Sequence, residues 1–239
     1  MVLEKTLFYK SPPTPCGYLQ GHQETKMLTW LHSPDAEEQY HFLLELGFRR
    51  SQTIMYKPIC ETCNACTPLR IPVKEFQFDK SQKRILKKNH DIYRRIASPV
   101  LQDYHYELYQ SYMNERHSGE AMSFMSYEDV AMMVEETTID TVLIEYYTET
   151  PHETLLTGWT ISDFSQQAIS MVYSVFHPEY QHHSLGTFAI LDHILLARQL
   201  CLPYVYLGYW IKQSQKMSYK SKFTPHEIFI DQKGWILVE

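Results

Sequence analysis

The chain has 239 residues, enough for one large domain or two small ones, and its 44% hydrophobic and 14% aromatic content can fill a sizeable core. Its net charge of -6 excludes a generally basic polynucleotide-coating protein, so any nucleic-acid contact has to be local. No apolar run reaches the length of a membrane span, no apolar segment follows Met1-Val2-Leu3-Glu4-Lys5, and an odd count of five cysteines argues against a disulfide framework, so a cytoplasmic protein is expected.

In chain order, residues 3–9 alternate weakly and predict a short strand. The run Ser11-Pro12-Pro13-Thr14-Pro15-Cys16-Gly17-Tyr18 is too proline-rich for a helix or a central strand. Met27 to His32 predicts a strand. A helix follows, with Ser33 as cap, Pro34 at its first position, Tyr40, Leu43, Leu44 and Leu46 on its apolar stripe and Gly47 as its stop. Phe48–Lys57 and Thr67–Val73 are two further strand candidates, and they bracket three cysteines.

Ser81 to Ala97 reads as one amphipathic helix, with Ile85, Ile92 and Ile96 on its apolar face. From Lys80 to Arg95 there are seven Lys/Arg and one acid, Asp91, which leaves 15 Lys/Arg against 27 Asp/Glu for the remainder. The positive charge is therefore segregated. Lys83, Arg84, Lys87 and Lys88 form either a solvated helix face or a track for a phosphate backbone; the acidity of the remaining chain favours the track. Leu101–Arg116 predicts a helix closed near Gly119, and Ser126 with Asp129 predicts a capping box for another. Thr141–Thr148, Leu155–Asp163 and Ala168–Phe176 predict a three-stranded meander. The stretch Phe176 to Pro225 then reads as loop, helix, strand and a cationic aromatic tail. Ser184 is the expected helix cap, and a strand-to-helix turn of this kind can hold an anion on its free N–H groups. His226–Ile230 and Trp235–Val238 are the last strand candidates. Two halves are expected, 1–98 and 99–239, with a boundary near Ser98-Pro99.

Cys60-x2-Cys63-x2-Cys66 is the strongest local signal. Thiolates at this spacing can wrap zinc or an iron–sulfur cluster, both of which take four ligands, and Cys16 is the natural fourth. The alternative is a set of reduced thiols without metal. Cys201, after an apolar helix, is expected to be a core thiol. Arg70 in Leu69-Arg70-Ile71-Pro72 is flanked by apolar residues and needs an anion, either a bound carboxylate or an internal acid. Lone candidates for a general base are Glu227, His182 and His183.

Several of these stretches together resemble the aminoacyl-tRNA–protein transferases. They are Pro15-Cys16-Gly17-Tyr18-Leu19, Gly47-Phe48-Arg49-Arg50-Ser51, Tyr56-Lys57-Pro58, Leu69-Arg70-Ile71-Pro72-Val73, Ser81-Gln82-Lys83-Arg84, Ser184-Leu185-Gly186-Thr187, Tyr204 to Ile211, and Lys216-Met217-x-Tyr219-Lys220. The resemblance spans nearly the whole chain in matching order and is nearest to the bacterial aspartate/glutamate leucyltransferases. Eukaryotic arginyltransferases carry a Cys-x-x-Cys and an adjacent cysteine pair, where this chain has Leu19 and the Cys60–Cys66 run.

The resemblance implies an α/β (α+β), GNAT-like acyltransferase fold on a mixed, largely antiparallel sheet, with a double-GNAT arrangement as its fuller form. It implies acyl transfer from leucyl-tRNA to the α-amine of proteins beginning with Asp or Glu, which marks them for degradation through N-degrons. No cofactor is required for that chemistry; zinc or an iron–sulfur cluster at Cys16, Cys60, Cys63 and Cys66 is the added expectation. Tyr209, Lys216 and Tyr219 are the expected catalytic residues, and Arg70, Arg49 and Lys220 the expected acceptor contacts. Lys83, Arg84, Lys87 and Lys88 are the expected tRNA contacts. The competing readings are an arginyltransferase of the same family, a coenzyme-A acetyltransferase, and a metal-stabilised RNA-binding module. Ser184, where the coenzyme-A loop Q/R-x-x-G-x-G/A has its first glycine, counts against the second of these. A shortage of acids between Met171 and Pro225, where Glu179 and Asp192 stand alone, favours an aliphatic donor over arginine.

Overall fold

A computed structural model describes residues 6–32, 34–116, 119–215 and 217–239. The cap expected at Ser33, the beginning of the strand expected over 3–9, and Lys216 lie outside the described residues. The strands are β1 (Tyr9–Lys10), β2 (Thr14–Pro15), β3 (Gln23–Glu24), β4 (Lys26–Trp30), β5 (Arg49–Ser51), β6 (Ile54–Pro58), β7 (Thr67–Pro72), β8 (Ile92–Ala97), β9 (Thr141–Glu149), β10 (Thr154–Phe164), β11 (Ala168–Phe176), β12 (Tyr204–Trp210), β13 (His226–Ile230) and β14 (Gly234–Val238). The helices are α1 (Ala36–Glu45), α2 (Lys80–Lys88), α3 (Asp103–Arg116), α4 (Tyr127–Glu135) and α5 (Leu185–Gln199).

An eight-stranded sheet runs β14-β13-β7-β12-β11-β10-β9-β8, and a four-stranded sheet runs β1-β4-β6-β5. Side-chain alternation sorts the large sheet into two faces. Leu69, Ile71, Ile169, Met171, Val205 and Leu207 pack with Phe188, Leu191 and Ile194 of α5. On the other face, Leu143, Trp159, Ile161 and Val175 pack with Leu108, Tyr109 and Met113 of α3 and Val130 and Val134 of α4. Ala168 and Tyr206 on that same face meet Tyr40, Leu43 and Leu44 of α1. A fully buried ion pair bolts the small sheet to the large one: Arg50 donates to both Asp163 oxygens at 2.7 and 2.6 Å, and Tyr40 Oη donates to Asp163 at 3.2 Å.

The mixed α/β architecture and the meander of β9, β10 and β11 match the expected GNAT-like order, and the capping box at Ser126 forms with Asp129. Four expectations are corrected. The stretch Phe48–Lys57 is a hairpin rather than one strand, because Gln52 turns the chain at φ 54°. The helix expected over Ser81–Ala97 ends at Lys88, where Asn89 Nδ2 caps Ile85 O at 2.9 Å. Ile92 to Ala97 then pairs with β9 as an edge strand, as its β-branched residues suit. Ser184 makes no side-chain cap; it is a left-handed residue at φ 55° between a 3-10 turn, Pro178–His183, and α5. Cys201 is exposed just after α5 rather than in the core. The large sheet also takes β7 and β8 from before Ser98-Pro99 and β9 to β14 from after it, so the expected boundary separates sequence halves that share one sheet.

Candidate active site

The parallel pair β11–β12 creates the site. The strands are in register at Ala168↔Tyr204, Ile169↔Val205 and Ser170↔Tyr206, and beyond that their pairing stops although both strands continue. Splayed strands leave main-chain carbonyls without sheet partners, and buried carbonyls need donors. A bulge between Tyr206 and Gly208 in the β12–β7 pairing adds to the distortion at Leu207.

Two basic side chains supply the donors. Arg49, from the first residue of β5, enters the fork: Nη1 donates to Leu207 O at 3.2 Å, and Nη2 donates to Met171 O at 3.1 Å and Val172 O at 2.5 Å. Lys220, from the 3-10 turn Ser218–Lys222, donates through Nζ to Leu207 O at 2.7 Å and to Tyr209 O at 2.9 Å. Burial, and then the neighbouring Arg49 charge, pull the Lys220 ammonium down to about 7. Gly208, at φ 71°, gives Arg49 its space.

Tyr209 Oη donates toward Gly47 O at 3.1 Å and Tyr56 O at 3.0 Å, so its single proton is committed to the main chain of the N-terminal half. Burial, with Tyr56 next, pushes this phenol well above its usual range. Tyr219 keeps 37% of its surface exposed at the edge of the fork. Burial around its hydroxyl, with Tyr112 next to it, still pushes that group up to about 12. Tyr173 of β11 and Tyr112 of α3 continue the same aromatic wall, each held neutral by burial. Sequence reasoning did not single out Gly208, Tyr112 or Tyr173. A glycine inside a strand pattern was the available sign of a bulge or a close approach.

Arg70 lies elsewhere, on the opposite face of β7 from Leu69 and Ile71. Its Nε donates to Glu227 at 2.6 Å and its Nη1 to Glu45 at 2.7 Å and Tyr206 Oη at 2.7 Å. The guanidinium is stacked 3.6 Å from the Tyr204 ring and 4.2 Å from the Trp235 ring. Its anions are therefore internal, and Glu227 is occupied with it.

The basic track divides at the α2–β8 break. Arg94 ion-pairs with Asp192 at 2.5 Å and reaches Gln199 at 2.6 Å, while Arg95 donates to Glu145 at 2.6 Å and lies over Tyr147. Lys80, Lys83, Arg84, Lys87 and Lys88 remain as the exposed face of α2. Lys88 Nζ donates to His182 O at 2.6 Å and Asn89 Nδ2 to His183 O at 3.0 Å, so this helix is tied to the turn that precedes α5. Those carbonyls point at α2, and His183 Nδ1 is engaged with Asn89 Oδ1 at 3.0 Å. The turn is thus a folded strut between α2 and α5.

Cys66 directly precedes β7, beside the outer end of the fork. Burial, followed by the neighbouring Cys16, Cys60 and Cys63, pushes its thiol up to about 12, so the four sulfurs share one neighbourhood. They do not converge: among the described residues no group of three or more His, Cys, Asp or Glu side chains is placed to hold a metal ion. Cys16 Sγ instead accepts from Tyr18 N at 3.4 Å, and Cys60 Sγ is directed at Thr25 O at 3.9 Å. The expected zinc or iron–sulfur ligand set does not fit this arrangement, and no step of the chemistry is routed through it.

Comparison with known proteins bears on the whole chain. Residues 104–230 match the family model described as "Arginine-tRNA-protein transferase, C terminus", and residues 14–84 match its N-terminal counterpart. A protein of Mesorhizobium japonicum named "Aspartate/glutamate leucyltransferase" is 44% identical over 236 residues, covering 95% of this chain and 92% of that protein. One of the same name from Rhodopseudomonas palustris is 41% identical over 239 residues, covering 97% and 92%. Among solved structures, a C-terminal domain assigned to a lysylphosphatidylglycerol synthetase of Agrobacterium fabrum has a TM-score of 0.52 at 9% identity, over 88% of this chain and 65% of that one. That last likeness concerns the fold alone.

Proposed function

The chain belongs to the arginine-tRNA-protein transferase family, and on that premise we propose that it transfers leucine from leucyl-tRNA to the N-terminal α-amine of proteins beginning with Asp or Glu. The reaction is an aminoacyl transfer. The free amine attacks the ester carbonyl carbon of the charged tRNA, a peptide bond forms, and the terminal ribose oxygen leaves with a proton. The ester is already activated, so positioning supplies much of the acceleration and no cofactor is called for. The product carries a bulky apolar N-terminal residue and is thereby marked for degradation. The work is cytoplasmic, where charged tRNA is made, and among the described residues no helix is long and apolar enough to cross a membrane.

The observation that carries this reading is the Arg49–Lys220 fork. A GNAT-like sheet opens between β11 and β12, and here the fork is filled by Arg49 and Lys220 and flanked by the phenols Tyr112, Tyr173 and Tyr219. The Tyr219 phenol, kept protonated by burial, suits a developing oxyanion as a donor. The aromatic wall suits an aliphatic leucyl side chain, and no carboxylate from Met171 to Pro225 other than Glu179 and Asp192 is at hand for an arginyl one; Asp192 is spent on Arg94. The exposed cations of α2 are assigned to the tRNA backbone. Arg49 is the acceptor contact best placed in this reading; Tyr209 and Arg70 hold the fork and the sheet.

The test is transfer of labelled leucine from leucyl-tRNA to peptides that differ in their first residue. Strong acceptance by Asp and Glu with little by Ala or Lys is expected. Equal acceptance of all four would remove the acceptor assignment.

A further inference from the structure

We propose that Lys220 is a catalytic residue of the transfer: as a neutral amine in the fork between β11 and β12, it takes the proton from the α-ammonium of the acceptor. The inference rests on the aminoacyl-transfer reading and adds the group that generates the nucleophile.

The coordination of Nζ carries the argument. Lys220 donates to Leu207 O at 2.7 Å and Tyr209 O at 2.9 Å, and among the described residues these carbonyls are its hydrogen-bond partners. An ammonium has three N–H donors, whereas a neutral amine has two and a lone pair. Two carbonyls use both donors of the neutral form and leave its lone pair in the remaining tetrahedral direction. Arg49 Nη1 donates to the same Leu207 oxygen at 3.2 Å, so two side chains that are ordinarily cations converge on one acceptor. The oxygen can accept both bonds, so what conflicts is the nearness of two positive charges, and it is relieved by the amine giving up its proton, because a guanidinium keeps its own. Among the described residues, the charged group facing Lys220 is Arg49, from β5. The nearby titratable groups, Tyr209 of β12 and Tyr219 of its own turn, are phenols that burial keeps protonated. The depression of Lys220 to about 7 agrees with this geometry. A lysine that bound the acceptor carboxylate would instead have to stay cationic.

The step balances without a further reagent. The acceptor arrives as an α-ammonium with a pKa of about 7.7–8.0. One of its N–H bonds breaks as an N–H bond forms on Lys220, and the freed lone pair makes the C–N bond to the ester carbonyl carbon. Collapse of the tetrahedral adduct breaks the C–O bond to the ribose. A second proton from the attacking nitrogen leaves with the ribose oxygen, and Lys220 returns its proton to solvent.

Two variants separate a base from a cation. Lys220→Gln keeps two N–H donors for the two carbonyls but has no basic lone pair; Lys220→Arg keeps the charge. Single-turnover leucyl transfer to an Asp-initiated peptide is measured from pH 6 to pH 9, with leucyl-tRNA binding and thermal melting alongside. Both variants should lose on the order of 100-fold or more in rate at pH 7 while binding charged tRNA as wild type does. The Gln variant should recover toward pH 9 as the acceptor deprotonates unaided. A Lys220→Arg rate within about threefold of wild type at pH 7 would overturn the proposal. A second measurement needs no active variant: the lysine 13Cε signal that disappears in Lys220→Gln is titrated in the wild type. A midpoint near 7 is expected, and one above about 9 would overturn the proposal. Wild-type protein that transfers from neither leucyl- nor arginyl-tRNA would instead remove the functional reading itself, which the titration midpoint does not depend on.

Discussion

Arg49 and Gly208 are so closely apposed that a Cβ on Gly208 would lie 1.0 Å from Arg49 Nη1. The absence of a side chain at one position on β12 is what lets a guanidinium from the first half of the chain enter the fork of the second. Gly208→Ala should therefore expel Arg49, disturb the fork and reduce transfer on the order of 100-fold, as misplacement of reacting groups by about 1 Å does. Gly234→Ala is the control: it adds a Cβ at φ 76° with nothing within 4 Å, so it carries the backbone strain of about 1 kcal/mol without the displacement. Kinetics and melting of the two variants, side by side, check this.

The exposed face of α2 should carry the salt dependence of tRNA binding. Reversing Lys83, Arg84 and Lys87 to Glu is expected to weaken leucyl-tRNA binding and to flatten the plot of log affinity against log salt. Arg94 and Arg95, already paired with Asp192 and Glu145, should contribute little to that slope. Filter binding at several salt concentrations distinguishes the two groups.

How far the sequence revealed this molecule depends on whether the signal was local. The meander, the capping box at Ser126 and the stop at Gly47 come from residues within a few positions of each other, and all of them form. The α2–β8 break was hidden because Ile85, Ile92 and Ile96 also satisfy a helical period; what decides the matter is pairing of Ile92–Ala97 with β9, about fifty residues away. Arg70 showed the need for an anion but not which one, since Glu45 and Glu227 are distant in sequence. Lys220 was legible as part of a family motif, while its convergence with Arg49 on Leu207 O comes from the splay of two strands.

Arg70 should prove to be a residue of stability. Its guanidinium is 6% exposed and bridges Glu227 to Glu45, the latter with 37% of its side chain exposed. Arg70→Ala is expected to cost roughly 3 kcal/mol, the low end for a broken buried pair because Glu45 is partly screened. At a temperature where the variant remains folded, its preference for acidic over neutral N-termini should persist. Loss of that preference would return Arg70 to the acceptor.

Glu145 ties β9 to β8 and α3. Burial pushes its carboxyl up, but hydrogen bonds with His105 at 2.8 Å and Arg95 at 2.6 Å outweigh this and hold it at about 2. A carboxylate held below its unfolded value contributes stability above about pH 4.3 and loses it as the pH falls toward the folded value. The gap in melting temperature between wild type and Glu145→Gln should therefore be wide at pH 6 and narrow between about pH 4.5 and pH 2. Thermal denaturation across that range measures it.

The leucyl reading of the fork depends on which residue is donated. One Asp-initiated peptide, supplied with leucyl-tRNA and arginyl-tRNA at equal concentration, reveals it when the new N-terminal residue is identified by mass. The aromatic wall of Tyr112, Tyr173 and Tyr219 and the commitment of Asp192 to Arg94 predict leucine in the product. Preferential transfer of arginine would overturn the leucyl assignment.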